Sequence, residues 1–251
     1  MGWEVRFFWN KNPNISIEIT KDILFKNLNS FVKNLKSKPE KRTDLYLNFD
    51  LNNIGMKFRT KRNLEMKKRT KIITQDGINC ESWQKIYLNN KKIDQNNINL
   101  QKLFQILENC IDKEDYNQAK SFMESKEKVE IVSVQKNRWQ TSVSKKEIQN
   151  MTSTQLRNFE KIGNIVSMEF TEVNLEYDEK KAEYYSVCIE GGNPSTLCTI
   201  GDALWSYLEK NLEKDQKIFQ MGYPEFIAFY LKNIQFDEKA NQENNSENLQ
   251  K

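Results

Sequence analysis

Charged residues in this chain recur two apart, and that spacing constrains the fold more than any other feature. Glu4 and Arg6 follow it, as do Lys57 and Arg59, then Glu65, Lys67 and Arg69, then Lys136 and Arg138. Side chains two apart on a strand share a face. Interleaved with them stand Val5 and Phe7, Met56 and Phe58, and Leu64 and Met66. Each segment therefore predicts a strand with one cation-rich face and one apolar face. Two arrangements satisfy this periodicity. In one, an open antiparallel sheet turns its charged face to solvent, the usual alternation for such sheets. In the other, the sheet closes into a barrel with the charged face inside and helices over the apolar outside. A lumen lined by that many cations needs an anion, because unpaired buried charge is very costly. Carboxylates in the same lumen suit a hard divalent cation such as Mg²⁺ or Mn²⁺. The physical target of such a site is a diphosphate or triphosphate chain.

Strands are expected over Trp3–Trp9, Arg42–Phe49, Ile54–Arg62, Leu64–Lys71, Glu81–Leu88 (after the turn signal Asp76-Gly77), Val129–Val143, Asn164–Leu175 and Glu183–Glu190. Helical periodicity covers about residues 21–36, 97–126 and 145–161. A C-terminal stripe runs through Leu197, Ile200, Leu204, Leu208 and Leu212. Pro224 opens a last helix that contains Ile227, Tyr230 and Leu231. Residues 237–251 are polar and patternless, which reads as a disordered tail.

The chain has no histidine. Ser-His-Asp and Cys-His nucleophile systems and His-ligated zinc are thereby excluded. Chemistry is left to carboxylates, lysine, arginine, tyrosine, cysteine or an oxygen-ligated metal. Cys80, Cys110, Cys188 and Cys198 form no C-x-x-C pair, and free, mostly buried thiols are expected. The opening MGWEVRFFWNK has no basic segment ahead of an apolar run, so the expectation is an intracellular protein, cytoplasmic or organellar, not a secreted one. No apolar run approaches the roughly 20 residues of a membrane span. The 39 basic and 35 acidic residues nearly balance, which argues against general nucleic-acid binding and makes any anion site local.

Taken in order, Asp44, Tyr46 and Asn48 in D-x-Y-x-N, the pair Lys57/Arg59, the run Glu65/Lys67/Arg69, the pair Lys136/Arg138, and Glu190 closing AEYYSVCIE resemble the CYTH, or triphosphate tunnel metalloenzyme, superfamily. The resemblance spans roughly residues 1–192. The stretches WEVRFFW and LEMKKRT…ESWQK are similar to a CYTH-like branch of it. It implies an α+β fold: a closed antiparallel β-barrel, or tunnel, of about eight strands with helices packed outside. The C-terminal helices of 193–236 would pack on that barrel. It further implies that Arg6, Lys57, Arg59, Lys67, Arg69, Lys136 and Arg138 contact phosphate. Glu4, Glu65 and Glu190 would hold Mg²⁺ or Mn²⁺. The ligand would be a triphosphate-containing small molecule; family substrates include thiamine triphosphate, inorganic triphosphate, RNA 5′-triphosphates and ATP.

The sequence departs from the family pattern at two places. The family's opening E-x-E-x-K reads Gly2, Glu4, Arg6, and its closing E-x-E reads Cys188, Glu190. Metal ligands are thinned while cations remain, which implies a binder or a weak Mg/Mn-dependent triphosphatase; no residue is assigned as catalytic. The alternative is a non-catalytic structural or interaction subunit with protein partners. Asp44 and Tyr46 are expected to be structural, and the five tryptophans to be core or helix-packing residues. Glu169 and Glu172 sit on a strand whose register is open.

Overall fold

Alternation along each strand decides which side chains face which way, and pairing then closes the sheet. The computed structural model describes residues 2–11, 39–59, 63–86, 88, 99–126, 129–142, 153, 165–213 and 216–234. The helices expected over 21–36 and, Ser153 aside, 145–161 lie outside the described residues, as does the tail 237–251. The strands are β1 (Trp3–Asn10), β2 (Glu40–Leu47), β3 (Ile54–Arg59), β4 (Asn63–Gln75), β5 (Ile78–Ile86), β6 (Ile131–Ser142), β7 (Ile165–Tyr177), β8 (Lys180–Gly191) and β9 (Ile218–Gln220). The helices are α1 (Leu100–Glu108), α2 (Lys113–Glu124), α3 (Pro194–Asn211) and α4 (223–234).

Every pairing is antiparallel, in the order β5-β4-β3-β2-β6-β7-β8-β1, and β1 returns to pair with β5. The fold is thus a closed eight-stranded antiparallel barrel with helices, an α+β architecture. Closure is brief: only Trp3 and Glu4 face β5, at Ser82 and Glu81. The rest of that edge, Phe7 to Trp9, is covered by β9. Neither edge of β1 is left open for another chain to pair with. Asp76 (φ 52°) and Gly77 (φ 78°) both take positive φ, the requirement of a two-residue hairpin turn between β4 and β5.

The outward face packs under helices on two sides. Val5, Phe7, Ile78, Cys80, Val187 and Ile189 cluster with Leu197, Leu204 and Leu208 of α3. The Asn193 side chain caps α3 by accepting from the Thr196 amide, and Pro194 begins the helix. On the other side, Ile54, Met56, Phe58 and Met66 meet Leu103, Ile106 and Leu107 of α1 and Ala119 and Met123 of α2. The four cysteines are free, and Cys80, Cys188 and Cys198 are buried. No helix among the described residues is long and apolar enough to cross a membrane.

Helix α4 takes a different place from its three companions. Its Phe226, Ile227, Tyr230 and Leu231 cluster with Phe8, Tyr46, Val132, Val134, Val173, Leu175 and Tyr184. Those strand residues alternate with the outward set, so they are the inward face of β1, β2, β6, β7 and β8. The apolar stripe of α4 therefore closes one end of the lumen instead of covering the outer surface. The reason is composition: inward residues at this end are apolar and need an apolar partner, whereas those at the other end are charged. Phe8 stacks on Phe226 with centroids 3.8 Å apart, and Tyr184 meets the same ring edge-on at 4.9 Å.

Gly55 makes the insertion possible. It shares the inward face of β3 with Lys57 and Arg59, and a Cβ there would lie 2.8 Å from Cγ of Pro224. Gly55→Ala is expected to destabilise the protein by about 1–3 kcal/mol through overpacking. Gly2→Ala, with nothing within 4 Å, should leave stability unchanged. Urea denaturation midpoints of the two variants check this.

Candidate anion-binding site

Inward alternation brings six of the seven expected phosphate contacts to one cavity of about 250 Å³: Arg6, Lys57, Arg59, Lys67, Lys136 and Arg138. Glu4, Glu65 and Glu190 line it as well. Arg69 does not. It precedes a register shift in β4 and is held by Glu81 at 2.6 Å and by Glu225 of α4 at 3.5 Å. Its register with Trp83 continues that of Lys67 with Lys85, so it keeps the inward face, but these two carboxylates hold it beside α4.

Asp44 is the centre of the arrangement and has no solvent exposure. Its carboxylate accepts from Lys57 at 2.9 Å and Lys136 at 3.0 Å, and it pairs with Arg42 at 3.2 Å. The Tyr46 hydroxyl accepts from the same two lysines, at 3.3 and 3.1 Å. Burial alone would raise the Asp44 carboxyl, but Lys136, Lys57 and Arg42 together hold it well below the usual carboxylate range. The cost falls on the lysines. Burial pulls Lys57 down to about 8 despite Asp44, and burial, Lys57 and Arg42 pull Lys136 well below its ordinary value. Lys136 also lies 3.6 Å from the Tyr223 ring centroid.

Glu169 is a second hub. It accepts from Arg6 at 3.2 Å, from Arg138 Nε at 2.9 Å and also from Arg138 Nη2. Burial would raise this carboxyl too, and Arg6 and Arg138 hold it well below its ordinary value instead. At the opposite rim, Glu65 pairs with Arg59 at 3.2 Å and Lys85 at 3.5 Å.

Buried polar atoms that make no hydrogen bond concentrate here, although Arg42 Nε faces Asp44 at ion-pair distance. Among the described residues they include Arg6 Nε, Arg42 Nε, Arg59 Nε, Asp44 Oδ1 and the Tyr223 hydroxyl, all at the cavity or directly behind it. Three of them are guanidinium donors, the groups that recognise phosphate.

Glu4 and Glu190 face each other across β1 and β8, and their carboxylates lie with the Cys188 thiol within 4.8 Å of one another. Burial, then the charge of Glu4, raises Glu190. Burial also pushes the Cys188 thiol well up, so it remains a neutral, poor ligand for a hard cation. Two close, mutually repelling carboxylates fit Mg²⁺ or Mn²⁺, since Mg²⁺ commonly takes one or two carboxylates and completes its shell with water and phosphate oxygens. Glu65 is not in this group; its two cation partners occupy it.

Several residues of the cavity escape same-face reasoning on single strands. Arg42 and Asp44 share a face of β2, a readable signal. Glu169 needed the β7–β8 register, which sets it opposite Cys188; Glu172 has the other parity and binds Asn137. Trp83, expected as a core or helix-packing residue, lies against Gly222 at the start of α4, lines the cavity and donates to Glu81 at 3.0 Å. Tyr223 and Pro224 reach the site only because α4 enters the barrel. No protein-family model matches the sequence, and no curated protein matches it.

Asp44→Asn leaves three buried cations without their countercharge and is expected to cost about 3–5 kcal/mol at neutral pH. Asp44 and Glu169 are depressed in the folded state. The stability they contribute is complete above their unfolded values near pH 4 and is lost as pH falls towards the folded ones. Denaturation curves at pH 7 and pH 3 should therefore show a steep loss for the wild type. Asp44→Asn should start lower and lose less.

Proposed function

We propose that this protein binds a triphosphate- or polyphosphate-containing ligand in the cationic lumen, as the CYTH resemblance implies. One observation carries the reading. Eight cations line the cavity (Arg6, Arg42, Lys57, Arg59, Lys67, Lys85, Lys136 and Arg138) against four carboxylates (Glu4, Glu65, Glu169 and Glu190). Even with Asp44 behind them, positive charge exceeds negative charge in a site partly shielded from water. The amino end of α4, at Tyr223 and Pro224, adds its partial positive charge to the same wall. A chain of phosphates matches both the sign and the narrowness of the space.

Glu4 and Glu190 would hold the divalent cation, which when bound would neutralise phosphate charge and lower the pKa of a coordinated water. The protein's own cations do the binding: Lys57, Lys136 and Arg42 at the inner end, Arg6 and Arg138 along the wall, and Arg59, Lys67 and Lys85 nearer solvent. The reading is of a binder first, with at most slow metal-dependent phosphohydrolysis. Glu65 and Glu169 are committed to cations, and Gly2 and Cys188 stand where the family pattern has carboxylates. The same ion pairs favour a second reading, a non-catalytic subunit whose lumen charges are purely structural.

Thermal unfolding and phosphate release, each with inorganic triphosphate, ATP and thiamine triphosphate and with Mg²⁺ or Mn²⁺, separate these. A ligand at 100 times its Kd should add about 2.7 kcal/mol of stability. Stabilisation without turnover identifies the binder, and turnover the weak enzyme. Neither effect with any of the three overturns the proposal and leaves the structural reading.

Arg59→Ala combined with Lys136→Met removes two cavity cations while Asp44 keeps Lys57 and Arg42. Apo stability should change by less than about 1 kcal/mol, because burial and the neighbouring Lys57 and Arg42 already disfavour the charged Lys136 amine. Ligand stabilisation should disappear. A large apo loss would favour the purely structural network.

Binding should also depend on pH. The free protein's Lys57 titrates at about 8, and phosphate favours the charged amine, so the bound value is higher. Ligand binding then takes up protons above pH 8, and affinity falls as pH rises from 8 towards 10. Calorimetry in two buffers of different ionisation enthalpy measures the uptake.

A further inference from the structure

The charged half of the lumen has a blind inner end. Phe226 is stacked on Phe8, and Pro224 sits against Gly55, with inward residues of β2, β6, β7 and β8 packed round the same helix. Exposure follows the axis. At the inner end Asp44 is fully buried and Lys136 is 2% exposed. Near solvent, Arg59 and Lys85 are 39% and 44% exposed, and Lys67 is exposed. Among the described residues, the lumen therefore opens at Arg59, Lys67 and Lys85 and ends at Lys136, Tyr46 and Tyr223.

Resting on the triphosphate reading above, we propose that the site accepts only phosphate chains with a free terminal phosphate, which enters first. Chains esterified at both ends are excluded. A chain could present its interior phosphates to Lys136 only if one end could pass beyond α4, and packed aromatic rings occupy that path. A terminal phosphate also suits the inner end chemically. It carries about −1.5 to −2 charge near pH 7, more than an interior one. It would meet Lys57, Lys136 and Arg42, which share one carboxylate, with the Tyr223 hydroxyl, which makes no hydrogen bond, beside them. At about 250 Å³ the cavity is smaller than the roughly 300–1,000 Å³ usual for organic ligands. An organic group on the other end of the chain would thus stay at the mouth, beside Arg59 and Lys85.

Calorimetric titration of the full chain with inorganic triphosphate, ATP, a dinucleoside triphosphate capped at both ends, and long inorganic polyphosphate tests this. Triphosphate and ATP should bind one to one, and the doubly capped compound about 100-fold more weakly than ATP. Long polyphosphate should bind no more than one protein per chain end, however long the chain. Equal affinity for capped and uncapped compounds, or a stoichiometry that grows with chain length, would overturn the end-first rule while the triphosphate reading stands. Failure of all four ligands to bind would overturn both.

Discussion

A single carboxylate with no access to solvent, Asp44, makes the charged interior possible. Lys57, Lys136 and Arg42, from three neighbouring strands, converge on it within 3.2 Å. Without that anion, closing β2, β3 and β6 around their inward faces would bring several cations together in a medium that solvates them poorly. Glu169 serves Arg6 and Arg138 in the same way on the opposite wall. The two hubs neutralise enough charge for the empty barrel to close and leave enough positive charge to attract a polyanion. Depressed lysines and guanidinium Nε atoms that make no hydrogen bond are the residue of that compromise, and they lie at the cavity.

The lumen is divided by chemistry. Towards one end the inward residues are aliphatic and aromatic, and α4 supplies their partner; towards the other they are charged, and no helix among the described residues enters. Two glycines allow the junction. Gly55 leaves room for the Pro224 ring, and Gly222 lets the chain pass within reach of Trp83 and Glu81. The same helix contributes Tyr223 to the cavity wall and Glu225 to Arg69, so the C-terminal segment belongs to the barrel as a wall belongs to a room. The outer helices α1, α2 and α3 have the simpler task of covering the apolar outer face.

Much of this was legible in the residues. Alternation in Glu4/Arg6, Lys57/Arg59 and Lys136/Arg138 places each pair on one face, and the structure turns all three pairs into the cavity. Asp44 and Tyr46 were visible but were assigned a structural part only; their geometry makes them the floor of the site. Glu169 stayed ambiguous because its parity depends on pairing with β8, and a slip of one residue would exchange it with its neighbours. Arg69 keeps the two-residue rhythm but is drawn to Glu81 and Glu225, partners that no spacing within β4 reveals. Trp83 was expected as a core or helix-packing residue; it does pack at the start of α4, but that its indole N–H meets Glu81 at the cavity wall was not legible.

The sequence by itself determined the strands, the two faces of each and the absence of histidine chemistry, because these follow from local spacing and residue type. It left open whether the charged face pointed to solvent or inward. That choice belongs to the tertiary structure, since it turns on whether β1 reaches β5, a contact of two residue pairs between segments some 80 positions apart. Tertiary structure also decided that α4 enters the lumen. An amphipathic helix carries the same apolar stripe whether it covers a barrel or closes one, and only the apolar inward residues of five strands select between the two.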